Sequence, residues 1–155
     1  MTSASTPEER LAALGLAVPE VAKPVAAYVP AVRSGDQVFT SGQLPVRSGE
    51  LITTGKVGAE VSVEEAVVCA QQCALNAIAA IQAEVGDLSQ VKQVVKVVVF
   101  VASTPNFTGQ PGVANGASEL FGEVFGDAGI HARSAVGVAV LPLDAPVEVE
   151  VLVAV

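Results

Sequence analysis

Val91-Lys92-Gln93-Val94-Val95-Lys96-Val97-Val98-Val99-Phe100-Val101-Ala102 is the stretch that decides the fold. Eight of its last nine residues are hydrophobic, and most are valine. Branching at Cβ stiffens a side chain and suits a pleated surface better than a helix. A strand with one face in water alternates apolar and polar residues. This one does not, so it reads as a strand covered on both faces, by helices, by another subunit, or by both.

Helical signals stand just upstream. Ser62-Val63-Glu64-Glu65 is a capping box, in which hydroxyl and carboxylate satisfy each other's backbone donors. Apolar residues then recur at Ala66, Ala70, Ala74, Ala77, Ile78, Ile81 and Val85, and Gly86 ends the run. Such a helix packs mostly through alanine, so it can approach its sheet closely. Further upstream, residues 37–43 (Gln-Val-Phe-Thr-Ser-Gly-Gln) read as a strand. A turn at 48–50 lets 51–54 pair back as a hairpin. Thr6, Pro7, Glu9 and Gly15 punctuate a short helix, and Pro19, Pro24 and Pro30 keep the next stretch extended.

Downstream, 103–112 is a loop rich in Pro, Gly, Asn and Thr, and 113–125 reads as a second helix. Two alternating strands close the chain. In one, Ser134, Val136, Val138 and Val140 alternate with Arg133, Ala135, Gly137, Ala139 and Leu141. In the other, Val147, Val149, Val151, Val153 and Val155 alternate with Glu148, Glu150, Leu152 and Ala154. Residues 142–146 link them. The expected architecture is α+β, one mixed sheet with two main helices on one face. It is a single domain over 1–155, with a helix and extended arm at 1–27 and a core at 28–155. The other sheet face would be bare. A contiguous apolar patch of that size usually marks an interface, so a homo-oligomer is expected.

Composition narrows the function. The net charge of −8 and eight scattered Lys and Arg disfavour nucleic acid and anionic membranes as partners. The N-terminus has no basic segment followed by an apolar run, and the nearest candidate for a membrane span, 94–102, is too short. A cytoplasmic location is expected. Cys69 and Cys73 lie four apart in the helix, poorly placed for a disulfide, and read as small buried hydrophobes. Two Cys and one His are too few for a zinc site.

Few residues can do chemistry. Arg133 begins a strand of small apolar residues, and its planar fork matches a carboxylate. It also reads as a surface Arg at a strand end. Glu148 and Glu150 share the polar face of the last strand and could orient a water, or could simply be solvated. Tyr28, the only Tyr, could lid a pocket or pack. Gly42, within 40–43, lets a ligand come close to backbone N–H groups. Asn115 reads as a cap or turn residue early in its helix. His131 has no visible acid or nucleophile partner, and neither a nucleophile elbow nor a phosphate-binding Gly loop is present.

Several segments occur in a familiar order: 38–45 (Val-Phe-Thr-Ser-Gly-Gln-Leu-Pro), 99–101 (Val-Phe-Val), 113–116 (Val-Ala-Asn-Gly), 131–138 (His-Ala-Arg-Ser-Ala-Val-Gly-Val), Leu141-Pro142, and 147–150 (Val-Glu-Val-Glu). Together they resemble the reactive intermediate deaminase family, called RidA, formerly YjgF, and also labelled L-PSP endoribonuclease. The likeness runs from about Tyr28 to Val155, and the N-terminal helix looks like that of a longer subgroup. The resemblance implies a chorismate-mutase-like fold and a homotrimer with ligand sites between subunits. It implies hydrolysis of 2-imino acids to 2-keto acids and ammonia, without metal or organic cofactor. Under it, Arg133 binds the substrate carboxylate and Glu148 positions the water. Tyr28, Gly42, Asn115 and Ala135 line the substrate pocket. Ala135 stands where the deaminase branch usually has Cys, and Val140 where it often has a basic residue.

If the last two strands pair as a hairpin, Arg133 faces Val155. Glu148 then lies seven residues further on, roughly 23 Å away at about 3.3 Å per residue. Arg133 and Glu148 would then serve one site only from different subunits. Two other functions compete: non-catalytic binding or sensing of small carboxylates, and the RNA cleavage of the older label, which the acidic charge disfavours.

Overall fold

In the computed structural model, which describes residues 4–24 and 26–155, residues 93–102 form an internal strand of the main sheet. The elements are α1 (Pro7–Ala13), β1 (Ala31–Ser34), β2 (Gln37–Thr40), β3 (Val46–Arg47), β4 (Glu50–Leu51), α2 (Val63–Val85), β5 (Gln93–Ala102), α3 (Gln110–Phe125), β6 (Ala132–Val138) and β7 (Val147–Ala154). Met1 to Ser3 and Val25, parts of the 1–27 arm, lie outside the described residues.

Both capping boxes form as the residue spacing dictates. Thr6 and Glu9 cap the start of α1, and Ser62 and Glu65 the start of α2, each pair exchanging side-chain and backbone hydrogen bonds. α3 starts three residues earlier than its apolar spacing implies, at Gln110. Pro111 sits in its first turn, where its fixed φ suits a helix and no donor is lost.

The main sheet has the order β1-β2-β7-β5-β6. β5 runs parallel to β6 and antiparallel to β7. The expected hairpin between the last two strands is therefore wrong. β5 lies between them, and residues 142–146, with a 3-10 turn at Pro142–Asp144, carry the chain past its edge. The hairpin expected about the 48–50 turn does form, but it is shorter than 51–54 implies: β4 pairs with β3 in a separate two-stranded ribbon. Residues 37–40 pair with β7 on one side and, on the other, with β1, a strand hidden in the sequence behind Pro30.

α2 and α3 pack side by side on one sheet face. Val94, Val97, Val99 and Val101 of β5 and Val147, Val149, Val151 and Val153 of β7 are buried beneath them. The helices meet closely at Gly116, where a Cβ would stand 2.3 Å from the Val67 carbonyl oxygen. α2, rather than 94–102, is long and apolar enough to cross a membrane by length and composition. Yet 72% of its apolar window is buried within the domain, as for a core helix. Cys69 and Cys73 are both buried and unbridged. Burial pushes the Cys69 thiol up to about 11, with a further push from Glu65.

α2 also holds two buried amides. Gln72 Nε2 donates to Asn76 Oδ1 at 3.0 Å, and Asn76 Nδ2 donates to the carbonyls of Leu44 and Val46 at 3.0 Å each. Arg47 Nε donates to Gln72 Oε1 at 3.2 Å. These bonds tie the 44–47 segment to the helix, and so fix the neighbouring Gly42.

Among the described residues no helix covers the opposite sheet face. Val32, Phe39 and Val136 are exposed there, and Val98, Phe100 and Leu152 are half-buried. Lys96 and Glu150 stand among them around a groove of about 230 Å3.

Candidate functional site

Strand β6 and helix α3 build the cationic half of the site. Arg133 pairs in register with Val97, whose side chain is buried beneath the helices, so Arg133 points to the helix side of the sheet. There it meets a polar stripe on α3. Its Nη1 donates to Asn115 Oδ1 at 2.8 Å and to Ser118 Oγ at 3.1 Å, and its Nη2 donates to the Pro111 carbonyl at 3.4 Å. Positions 111, 115 and 118 are four and three apart, so they share one helix face.

Arg133 is thus neither splayed into solvent nor neutralised. All three acceptors are uncharged, and among the described residues no acid pairs with it. With Nη1 turned to α3, the Nε–H and Nη2–H edge of the guanidinium is the one that can take two oxygens side by side. Asn115 lies inside the helix rather than at its cap, and its amide oxygen helps to hold the Arg133 fork. Ala135, two residues on, points the same way and packs against the core. Its small side chain leaves room beside the fork and offers no group for proton transfer.

His131, which shows no partner in the sequence, has two. Its Nδ1 lies 2.6 Å from the Gly129 carbonyl oxygen and its Nε2 2.9 Å from Ser118 Oγ. Its ring stands edge-on to Phe121, at 82° with centroids 6.0 Å apart. Ser118 was missed in the sequence, where the only signal was the spacing of the α3 stripe.

The acidic half lies elsewhere. Glu148 pairs with Phe100, and Glu150 with Val98, on the face without helices. Glu148 also lies against Gly42. A Cβ on that glycine would stand 1.8 Å from Glu148 Oε1, so only glycine leaves the carboxylate where it is. Gly42 and Tyr28 line a shallow cavity of about 70 Å3 with Lys23, Gln43 and Leu143. Burial, and then the neighbouring Glu150, hold the Glu148 carboxyl above the ordinary carboxylate range.

A raised carboxyl costs the folded state something when ionised. Stability is favoured while the group is protonated and is lost as pH rises through its folded pKa. Glu148→Gln is therefore expected to melt higher than wild type at about pH 7. That advantage should vanish by about pH 4, where the unfolded carboxyl is itself largely protonated. Thermal melts at the two pH values test this; equal melting temperatures at both would remove the raised carboxyl.

The structure thus brings together Arg133, Asn115 and Ala135 in one place, and Tyr28, Gly42 and Glu148 in another. It does not unite the two groups. Arg133 and Glu148 lie on opposite faces, two strand spacings and three residues apart, roughly 14 Å between backbones. The 23 Å separation rested on a hairpin that does not form. The conclusion that one chain cannot aim both at a small ligand stands for a different reason. Among the described residues no three His, Cys, Asp or Glu side chains converge on a metal position.

A family model described as YjgF/chorismate mutase-like, with an endoribonuclease label attached, matches residues 8–154. That match starts within α1, well upstream of Tyr28. Protein TCP17 of Trypanosoma cruzi is 50% identical over 141 residues, 90% of this chain and 88% of that protein. A 2-iminobutanoate/2-iminopropanoate deaminase of Dermatophagoides farinae is 34% identical over 89% of this chain and 93% of that protein. The crystal structure of Atu1372 from Agrobacterium tumefaciens, a protein of unknown function, has a TM-score of 0.90. It is 44% identical and covers 97% of this chain and 92% of that one.

Proposed function

Because the chain belongs to the YjgF/chorismate mutase-like family and has its fold, we propose that it hydrolyses small 2-imino acids in a cleft completed by a second copy of itself. The observation that carries this reading is the Arg133 guanidinium, fixed by three neutral acceptors with one edge left for a two-oxygen anion. The deaminase relative supports the reaction class.

In the proposed reaction the Arg133 edge takes the carboxylate of R–C(=NH2⁺)–COO⁻. Water adds to the imine carbon and the C–N bond breaks, giving R–CO–COO⁻ and NH4⁺. Glu148, supplied by the neighbouring subunit, takes the water proton and returns it to the departing amine. Its environment suits that exchange, since a carboxyl lifted above its ordinary range is a better proton acceptor. The barrier to be lowered is modest, because imines already hydrolyse in water without help. Orientation of water against a clamped substrate is the main contribution.

The apolar sheet face supports the assembly, a homotrimer in this reading. Phe39, Phe100, Val136 and Leu152 are too apolar to be left to water as one patch. A second reading, carboxylate binding without turnover, is favoured by Ala135, which puts no reactive group beside the clamp.

Coupling the protein to a threonine dehydratase separates the two. Release of 2-oxobutanoate and ammonia is expected to exceed the uncatalysed rate in proportion to added protein. Saturable binding of 2-oxobutanoate with no acceleration would leave the binding reading in its place.

A further inference from the structure

We propose that His131 and Ser118 are positioning residues that aim the Arg133 guanidinium and so decide which of its edges meets a carboxylate. The inference rests on the carboxylate-clamp reading of Arg133, but its geometry stands without a ligand.

The direction of each bond follows from chemistry. A carbonyl oxygen only accepts, so His131 Nδ1, 2.6 Å from Gly129 O, carries the proton. In the neutral imidazole Nε2 is then the lone-pair nitrogen, and the Ser118 hydroxyl, 2.9 Å away, donates to it. With its proton turned to the imidazole, Ser118 Oγ presents its lone pairs outward. One of them accepts from Arg133 Nη1 at 3.1 Å. The chain of donation runs from Arg133 through Ser118 and His131 to a backbone carbonyl, each member leaving the next one orientation.

Asn115 alone would not do this. It holds Nη1 through one oxygen at 2.8 Å, and the Pro111 carbonyl reaches Nη2 only at 3.4 Å, so without Ser118 the guanidinium could still swing. Two acceptors on Nη1, three residues apart on a rigid helix, fix the plane of the fork. The imidazole is itself locked, its ring standing edge-on to the buried Phe121 and its Nδ1 pinned to Gly129. Gly129 is packed so closely that a Cβ would meet the Phe121 carbonyl oxygen at 2.2 Å. The anchor therefore belongs to the core, although Arg133 itself is only half-buried.

Substitutions that mimic one imidazole nitrogen at a time test the proposal. His131→Gln places an amide near Nε2 and can still engage Ser118. His131→Asn places one near Nδ1 and cannot. The first readout needs no ligand: the Arg133 side-chain 15N signals. The two Nη nitrogens are expected to be resolved in wild type, averaged by rotation in Ser118→Ala and His131→Asn, and resolved again in His131→Gln. The second is affinity for 2-oxobutanoate compared with its amide. Ser118→Ala and His131→Asn are expected to weaken the acid about tenfold, with His131→Gln recovering most of the loss. Affinity for the amide should not move with them.

Arg133 signals averaged already in wild type, or alike in all four proteins, would overturn the proposal. So would equal losses of acid and amide across the variants, which would mark a merely structural role. If the nitrogen signals respond as expected but Arg133→Ala binds 2-oxobutanoate as wild type does, the positioning stands and the clamp reading falls.

Discussion

Arg133→Ala is expected to lower 2-oxobutanoate release, as kcat/KM, by about a hundredfold or more. A bidentate charge-assisted pair has two bonds, each stronger than a neutral one, and alanine removes both with the charge. The folded state should hardly notice. No acid is left unpaired by the change, and Asn115, Ser118 and the Pro111 carbonyl lie at a half-open edge where water can replace the guanidinium. A thermal melt close to wild type together with lost turnover is therefore the expected pattern. Arg133→Lys should recover only a small part, since an ammonium keeps the charge but not the fork. Turnover unchanged in Arg133→Ala would remove the clamp from the mechanism. A large fall in melting temperature would give Arg133 a structural role instead.

Gly116→Ala should have the largest effect on stability. In an exposed helix this change stabilises by about 1 kcal/mol, because alanine gives up less backbone freedom on folding. Here the added methyl would lie 2.3 Å from the Val67 carbonyl oxygen and 3.2 Å from the Ala70 Cβ. Backbone cannot rotate out of the way, so α2 and α3 must separate. Overpacking of this kind costs about 3 kcal/mol, or roughly 10 °C in Tm for a chain of this size. Gly122→Ala is the control with the opposite sign. It lies on the same helix with nothing within 4 Å of its added methyl, and should stabilise slightly. Melts at one protein concentration compare the two; a Gly116→Ala protein as stable as wild type would mean that the helices do not pack as described.

Local signals were legible in the sequence, and non-local ones were not. The capping boxes at Thr6 and Ser62 and the stop at Gly86 depend on residues three or four apart, and each forms as read. The mixed sheet under two helices followed from the order of elements. What failed was adjacency. Residues 142–146 look like a hairpin link, yet β7 pairs antiparallel and β6 parallel with the same strand, β5, set between them. Nothing within either strand encodes that choice, which depends on how much apolar surface each arrangement covers. β1 escaped because four residues after a proline carry too short a pattern to read.

Half of the site was legible in the same sense. Arg133 stood out as a charge among small apolar residues, and Glu148 as part of a polar strand face. The stripe that orients the arginine did not, because Asn115 and Ser118 look like ordinary helix-surface residues until β6 is laid beneath them. The contact of Gly42 with Glu148 was likewise invisible, since it links residues more than a hundred apart.

The placement of Arg133 and Glu148 on opposite sheet faces has a genetic consequence. In the proposed assembly each reaction centre draws its cation from one chain and its acid from another. A cell carrying one allele with Arg133→Ala and another with Glu148→Gln would then make no intact polypeptide, yet would not lack activity. With random mixing, about a quarter of the centres in all the trimers formed, or one in each hybrid trimer, would combine the sound half of each, by the statistics of closed symmetric rings. The unit of heredity at this locus would be the interface rather than the chain.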